Sequence, residues 1–213
     1  KSVICSIATK SSQYNSILNW SKEIRNERII PFPSFHPDDK EWEKILDEIK
    51  KNNFKGIKLH PYYQNFNLDD KKMFDIYAKI EEVDLILVSH TGFDFAFEKI
   101  RKADPEKIIK IKNAFPSLKL VTTHLGAWEM WDEVEKFIVG KEIYMEISFS
   151  LQFLDEDKAK RIILNHPPEY ILFGTDSPWA DQGETIENLK KLKLSSKLEE
   201  MIFYNNASKL LQL

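Results

Sequence analysis

The sequence is poor in the features that mark secreted, membrane and nucleic-acid-binding proteins. Its 213 residues include a single cysteine, Cys5, which excludes an internal disulfide and is typical of a reducing compartment. The longest apolar runs, such as LILV at 85–88, are far too short to span a bilayer. With 31 Lys and Arg against 34 Asp and Glu, the chain lacks the positive charge that DNA or RNA would require. We therefore predict a cytoplasmic protein with no membrane and no nucleic-acid partner.

Glycine is also scarce, with six in the chain, and the glycine-rich motifs of several enzyme classes are missing. The lack of a G-x-G-x-x-G or Walker sequence argues against dinucleotide- and phosphate-cradling loops. The lack of a G-x-S-x-G elbow argues against an open-sheet hydrolase with a serine nucleophile. The sequence also begins without a methionine, inside a strand-like run, so we expect further residues upstream of Lys1.

Seven short apolar segments, most of them rich in β-branched or aromatic residues, predict β-strands. They cover 2–8, 29–35, 55–60, 84–90, 118–124, 142–148 and 170–175. Apolar residues at helical spacing lie between them, at 38–52, 69–82, 127–139 and 155–165. Asp104-Pro105 predicts the start of another helix, and a capping box at Ser196-x-x-Glu199 predicts the last.

This alternation of strand and helix, with a period of roughly 30 residues, is typical of parallel βα units. No linker or change in composition divides the chain, so residues 1–213 are predicted to form a single domain. Both a doubly wound open sheet and a (β/α)8 TIM barrel fit the pattern. An α/β barrel needs eight strands and only seven are found, so its first strand would be missing from this sequence.

Polar residues of related chemistry follow successive predicted strands at the same period. In parallel α/β folds the carboxyl ends of the strands form the active site, so these side chains are expected to meet at one edge. Imidazole and carboxylate together suit Zn²⁺ or a similar divalent ion. The residues are His60, His90, His124, Glu146 (or, in its place, Ser148) and Asp176.

Other polar and aromatic residues have weaker signals. Lys58 shares a strand face with His60 and is a candidate for lining the barrel or contacting substrate. Trp179, just after Asp176, is a candidate wall of the pocket. His36 and His166 precede prolines in loops and are predicted to lie on the surface.

Five stretches of the chain together resemble the amidohydrolase superfamily, specifically its amidohydrolase-2 branch of metal-dependent hydrolases. They are GIKLHP at 56–61, LVSHTG at 87–92, THLG at 123–126, FGTDSPW at 173–179 and NNASKLL at 205–211. The order of the HTG, HLG and GTDSPW motifs carries most of the specificity, and the resemblance extends over essentially the whole chain.

The resemblance implies a (β/α)8 barrel with one or two divalent metals, most suitably Zn²⁺, with Mn²⁺ or Fe²⁺ as alternatives. It implies His90, His124 and Asp176 as metal ligands, with Asp176 and His124 also catalytic. His60 lies where fourth-strand groups of the family reach the site, and we predict that it contacts substrate with Lys58 and Trp179. The family's first-strand His-x-His pair is not found; it would lie upstream of Lys1.

From these features we predict a hydrolase that attacks a C–N or C–O bond of an amide, lactone or ester through a metal-activated water. The predicted partner is a small organic substrate, and homo-oligomerisation is left open. Two alternatives stand beside this prediction. One is a metal-dependent, non-oxidative decarboxylase of the same family, and the other is a non-catalytic barrel without metal.

Overall fold

Strands and helices alternate along the whole chain in the computed structural model, which describes residues 1–213. All seven predicted segments form strands. Each strand is shorter than its predicted segment, because the last residues of most segments leave the sheet and enter loops. The strands are β1 (Ser2–Cys5), β2 (Ile29–Phe32), β3 (Gly56–Leu59), β4 (Ile86–Ser89), β5 (Lys119–Thr122), β6 (Tyr144–Glu146) and β7 (Ile171–Leu172).

Nine α-helices connect the strands and close the chain. Asp104 caps α4 as predicted, by accepting a hydrogen bond from the backbone N–H of Lys107, with Pro105 in the first turn. The capping hydroxyl of α8 belongs to Ser195, one residue earlier than predicted. The helices are α1 (Tyr14–Ile24), α2 (Trp42–Lys51), α3 (Lys71–Glu82), α4 (Pro105–Ala114), α5 (Trp131–Phe137), α6 (Glu156–Asn165), α7 (Gln182–Lys191), α8 (Ser196–Glu200) and α9 (Asn206–Leu211).

The helix predicted at 127–139 is shorter at its start than its apolar stripe suggests. α5 begins only at Trp131, because residues before it turn sharply. His124, Leu125 and Glu129 have φ angles of 59°, 54° and 55°, in the left-handed region that a right-handed helix excludes. The side chain of Trp128 is buried outside the helix.

All strand pairs are parallel and follow chain order. β1 pairs with β2, and β3 to β7 form a second sheet in sequence. The backbone N–H of Lys58 donates to the Pro33 carbonyl at 3.1 Å and joins the two sheets. β1 and β7 each have one strand neighbour. The fold is therefore seven consecutive βα units of a (β/α)8 barrel, as predicted.

The two faces of the strands pack into separate apolar clusters. A cluster of 39 buried residues, including Ile57 and Leu59, lies between the strands and the outer helices. A cluster of five, including Ile86 and Val121, lies on the opposite, inner face. Because side chains alternate along a strand, Lys58 must share the inner face. The alternation thus directs chemistry-bearing residues into the barrel.

The C-terminal helix covers the amino-terminal end of this interior. Leu211 belongs to the inner cluster, with Leu210 packed against it. Leu210 also lies beside Lys55, Asp84 and Lys119, which stand at the starts of three strands. The opposite, carboxyl end holds the loops described next. None of the helices is long and apolar enough to cross a membrane.

Candidate active site

Two histidines form the centre of a polar cluster at the carboxyl ends of β3 and β4. His60 directly follows β3 and His90 directly follows β4. The backbone N–H of His90 donates to the Leu59 carbonyl at 3.1 Å and holds the two strand ends together. Both side chains are buried, and their rings stack with centroids 4.2 Å apart and planes 13° apart. Parallel pairing of adjacent strands therefore brings residues 30 positions apart into contact.

A buried carboxylate completes this cluster. The Oδ2 of Asp94 lies 3.4 Å from the Nε2 of His60 and 3.8 Å from the Nε2 of His90. One ligand atom from each of the three residues lies within 4.8 Å of the other two. Two imidazoles and a carboxylate are ligands for Zn²⁺, Mn²⁺ or Fe²⁺.

A chain of polar contacts runs through the rings of His90 and His124. The Nε2 of His90 lies 2.9 Å from the Phe93 carbonyl oxygen. The Nδ1 of His90 lies 3.2 Å from the Nε2 of His124. The Nδ1 of His124 lies 3.1 Å from the Ser148 carbonyl oxygen. Carbonyls only accept hydrogen bonds, and a neutral imidazole carries one proton, so two protons serve three contacts.

With both rings neutral, one ring nitrogen lies against a carbonyl oxygen; the Ser148 hydroxyl, 3.4 Å from the Nδ1 of His124, can donate to that nitrogen in one arrangement, and a cation at the Nε2 of His90 removes the conflict in the other. His124 then donates from Nδ1 to Ser148, and His90 donates from Nδ1 to His124. The Nε2 of His90 keeps its lone pair for the ion, beside Asp94. Ligand histidines of metal sites usually donate their other N–H in this way. The residues present therefore fit a divalent ion.

Burial keeps the three histidines in the neutral form that a metal requires. It lowers the pKa of His60 to about 2 and that of His124 to about 3. It lowers the pKa of His90 well below the usual range. The positive charge of Lys58 lowers all three pKa values further. At neutral pH the cluster thus carries no imidazolium that would repel a cation.

Lys58 is a largely buried residue whose ammonium has no ion-pair partner and keeps some access to solvent. Only 8% of the residue is exposed, and its ammonium forms no hydrogen bond or ion pair. Asp176, four residues beyond β7, is exposed and also forms no ion pair. Partial burial of its carboxyl group raises the pKa of Asp176, and the Lys58 ammonium opposes that rise. An unpaired charge in a barrel interior is costly, so Lys58 has capacity for an anion.

Aromatic side chains surround the mouth above this cluster. Trp179 is 61% exposed and meets Phe95 edge-on, with ring centroids 5.7 Å apart. Phe95 also contacts Phe149, which packs against Trp128. These rings come from the loops after β4, β5, β6 and β7. Exposed aromatic surface of this extent is suited to a flat apolar ligand.

The family model described as amidohydrolase, of the amidohydrolase-2 type, matches residues 8–213. The chain belongs to the amidohydrolase-2 family. The resemblance inferred from the sequence motifs is thus confirmed. A search of the curated proteins finds no match.

Several solved structures share the fold of this chain. An uncharacterized TIM-barrel protein from Bordetella bronchiseptica has a TM-score of 0.76 at 20% identity, covering 99% of this chain and 76% of that one. A 5-carboxyvanillate decarboxylase from Novosphingobium aromaticivorans, with bound manganese, has a TM-score of 0.71 at 15% identity, covering 95% and 70%. A candidate 2-pyrone-4,6-dicarboxylic acid hydrolase from Pseudomonas putida has a TM-score of 0.65 at 13% identity, covering 95% and 78%. At these identities the likeness establishes the fold.

The structure brings some of the residues predicted for an amidohydrolase-2 site together and leaves others apart. His90 and His124 are in contact, and His60 joins His90 in the candidate ligand group. Asp176 lies outside that group, at the exposed mouth. Asp94 was missed by sequence reasoning, although its position four residues after His90 in HTGFD was a usable signal.

The surface prediction for His166 is wrong. The residue is only 2% exposed, and its Nε2 donates to the Ile143 carbonyl at 2.9 Å. The ring thereby fastens the end of α6 to the residue before β6. A histidine before a proline gave no hint of this contact, which depends on residues 23 positions apart. His36, also predicted on the surface, is partly buried.

Proposed function

We propose that this protein is a metal-dependent, non-oxidative decarboxylase of a small aromatic acid. The observation that carries the proposal is Lys58, a largely buried lysine without an ion pair on β3, two residues before His60 of the His60, His90 and Asp94 ligand group. A lone ammonium next to a cation site favours a substrate with an anionic group. The aromatic rings at the mouth favour a flat ring bearing that group.

Several structurally similar proteins carry matching names. They include the 5-carboxyvanillate decarboxylase and a 2,6-dihydroxybenzoate decarboxylase in complex with its substrate. A dihydroxybenzoic acid decarboxylase contains bound manganese. These names support decarboxylation over the hydrolysis that the sequence motifs predict. They also make Mn²⁺ as suitable a candidate as Zn²⁺.

The proposed reaction breaks the bond between the ring carbon and the carboxylate, releases CO₂, and places a proton on that ring carbon. His60, His90 and Asp94 would hold the ion, which supplies positive charge to bind and orient anionic oxygens of the substrate. Lys58 binds a second anionic oxygen. Asp176, at the mouth and free of ion pairs, is the group proposed to pass the proton. Trp179 stacks on the substrate ring.

His124 has a supporting part in this proposal. Both of its ring nitrogens are engaged, by His90 and by the Ser148 carbonyl, so it acts on the site through His90. The initial prediction made it a ligand and an acid-base group, and direct metal ligation by His124 and Asp176 remains the alternative. The proposed setting is the cytoplasm, because a single cysteine fits a reducing compartment.

Hydrolysis of a C–N or C–O bond is the second candidate. It is favoured by the similarity to the candidate 2-pyrone-4,6-dicarboxylic acid hydrolase, and its substrate would be anionic as well. The same ligand group could activate a water for that reaction. CO₂ release separates the two reactions, because only the decarboxylase produces it.

The test starts with protein purified without chelator, whose metal content is measured by elemental analysis. The protein is then supplied with Mn²⁺ or Zn²⁺ and given 5-carboxyvanillate, 2,6-dihydroxybenzoate and 2-pyrone-4,6-dicarboxylate, with His90→Ala as the control. CO₂ release with loss of the acid, absent in the control, supports the proposal. Opening of the pyrone ring without release of CO₂ would instead support the hydrolase. If the protein binds neither Mn²⁺ nor Zn²⁺, the non-catalytic barrel is the function that fits.

A further inference from the structure

Glu146 is a buried residue, 8% exposed, at the end of β6, and its carboxylate makes no ion pair. Its Oε1 accepts hydrogen bonds from the backbone N–H of His124 at 3.1 Å and from the Ser148 hydroxyl at 2.6 Å. Its Oε2 accepts from the backbone N–H of Ser148 at 2.8 Å. Three donors satisfy the carboxylate, and all three belong to the two residues that form the far end of the histidine chain.

The backbone that Glu146 holds is unusual. His124 and Leu125 are both left-handed, with φ of 59° and 54°. Non-glycine residues adopt this conformation only where the surroundings enforce it. The Leu125 N–H donates to the main-chain carbonyl of Glu146 at 2.8 Å, and the His124 N–H donates to its side chain. One residue thus supplies both acceptors for this strained turn.

The chain also makes room for this carboxylate. Gly174, in the loop after β7, lies so close that a Cβ there would be 2.0 Å from the Oε2 of Glu146. Every side chain other than hydrogen at position 174 would displace the Glu146 carboxylate. The position of the Glu146 carboxylate therefore depends on residues that follow the two strands beside β6, namely His124 after β5 and Gly174 after β7.

We propose that Glu146, with the Ser148 hydroxyl, is a positioning residue that fixes the conformation and tautomer of His124 and thereby the metal affinity of His90. Glu146 sets the His124 backbone and places the Ser148 carbonyl, which receives the Nδ1 proton of His124. With that proton on Nδ1, the Nε2 of His124 accepts from His90. The inference rests on the proposed metal-dependent function.

The experiment compares Glu146→Gln with a matched pair of serine variants. In Glu146→Gln an amide NH₂ replaces one carboxylate oxygen and meets a backbone N–H, so at least one of the three bonds is lost. Ser148→Ala removes the hydroxyl that donates to Glu146 at 2.6 Å and lies 3.4 Å from the Nδ1 of His124. Ser150→Ala is the control, because Ser150 is also buried after β6 but donates its hydroxyl to the Ile147 carbonyl instead of to Glu146.

Two readouts are measured on the full chain. The first is the Mn²⁺ dissociation constant by titration calorimetry, beside the apo-protein Tm. The second is the tautomer of His124 in the metal-free protein, by long-range ¹⁵N–¹H NMR. We expect Glu146→Gln to weaken Mn²⁺ binding about tenfold, within the range for loss of an outer-shell partner, and Ser148→Ala by a smaller factor. The Nδ1–H tautomer should be dominant in the wild type and mixed in Glu146→Gln.

A lower Tm in Glu146→Gln and Ser148→Ala, with affinity and tautomer unchanged, would show a purely structural role and overturn the inference. Equal effects of Ser148→Ala and Ser150→Ala would overturn it too, since the loop as a whole would be responsible. If Glu146→Gln fails to fold, the serine pair still decides. A wild type that binds no metal refutes the proposed function, while the tautomer measurement still tests the positioning role.

Discussion

The two ends of the barrel interior differ sharply, although the same strands build both. On the side of the interior that α9 covers, Phe32, Ile86, Val121 and Leu172 pack together with Leu211 of that helix. Toward the carboxyl ends, the inner face carries an unpaired lysine, three histidines and two buried carboxylates. One end therefore stabilises the fold by burying apolar surface. The other end buries polar groups, which lowers the stability of the fold unless each group has a hydrogen-bond or charge partner.

This division means that stability and chemistry should respond separately to substitution. Substitutions at the apolar end are expected to lower the free energy of unfolding with little effect on the affinity for metal or substrate. Substitutions at the polar end are expected to weaken metal or substrate binding with little loss of stability. Four substitutions test the separation, from the largest expected effect to the smallest.

His90→Ala should have the largest effect on function. It removes a proposed ligand and also the partner of His124, so Mn²⁺ affinity is expected to fall by more than about 100-fold, beyond the usual cost of losing an outer-shell partner. Calorimetric titration gives the affinity, and thermal melting of the metal-free protein gives the stability. Unchanged Mn²⁺ binding would place the metal elsewhere, for instance on Asp176.

Ile86→Ala tests the apolar end. The side chain is 3% exposed in the inner cluster, so truncation should lower the free energy of unfolding by about 3 kcal/mol. Urea denaturation measures this change, and the Mn²⁺ affinity of the folded protein should stay within about twofold of wild type. A Mn²⁺ affinity that fell with the stability would show that the two ends are coupled.

Lys58→Met removes the unpaired charge and keeps most of the apolar stem. Loss of a charge-assisted hydrogen bond costs about 1.5–3 kcal/mol, so KM for an aromatic acid should rise roughly 10- to 100-fold. Lys55→Met is the matched control, because Lys55 is an exposed lysine at the amino end of the same strand. The idea fails if both variants give the same KM.

Trp179→Ala should have the smallest effect. The indole is mostly exposed and makes an edge contact with Phe95, so its loss should raise KM only by roughly threefold, with kcat and Tm unchanged. Steady-state kinetics on an aromatic acid, beside a substrate of similar charge without a ring, measure this contribution. Equal changes for both substrates would argue against stacking on the ring.

Much of this arrangement could be predicted from local patterns. Short apolar runs, most of them rich in β-branched or aromatic residues, predicted all seven strands, and the period between His60, His90 and His124 predicted that they meet. Both inferences use the rule that parallel strands bring their carboxyl ends to one edge. These patterns can be found in the sequence because every βα unit repeats them.

The parts that were missed depend on contacts distant in the sequence. Asp94 lies in a loop, and only the fold shows that its carboxylate turns back to His60. The late start of α5 follows from left-handed residues that Glu146 holds from the next strand. The burial of His166 likewise depends on the Ile143 carbonyl. Periodicity carries no signal for a side chain that caps a neighbouring backbone.

The position of α9 has a practical consequence for handling the protein. Leu210 lies at the amino end of the barrel interior, and Leu213, three residues later, is exposed. An affinity tag, a fluorophore or a surface linker attached after Leu213 would therefore emerge on the side opposite the aromatic mouth. Molecules tethered in this way would all present the mouth to the solution, which suits immobilised binding assays with small acids.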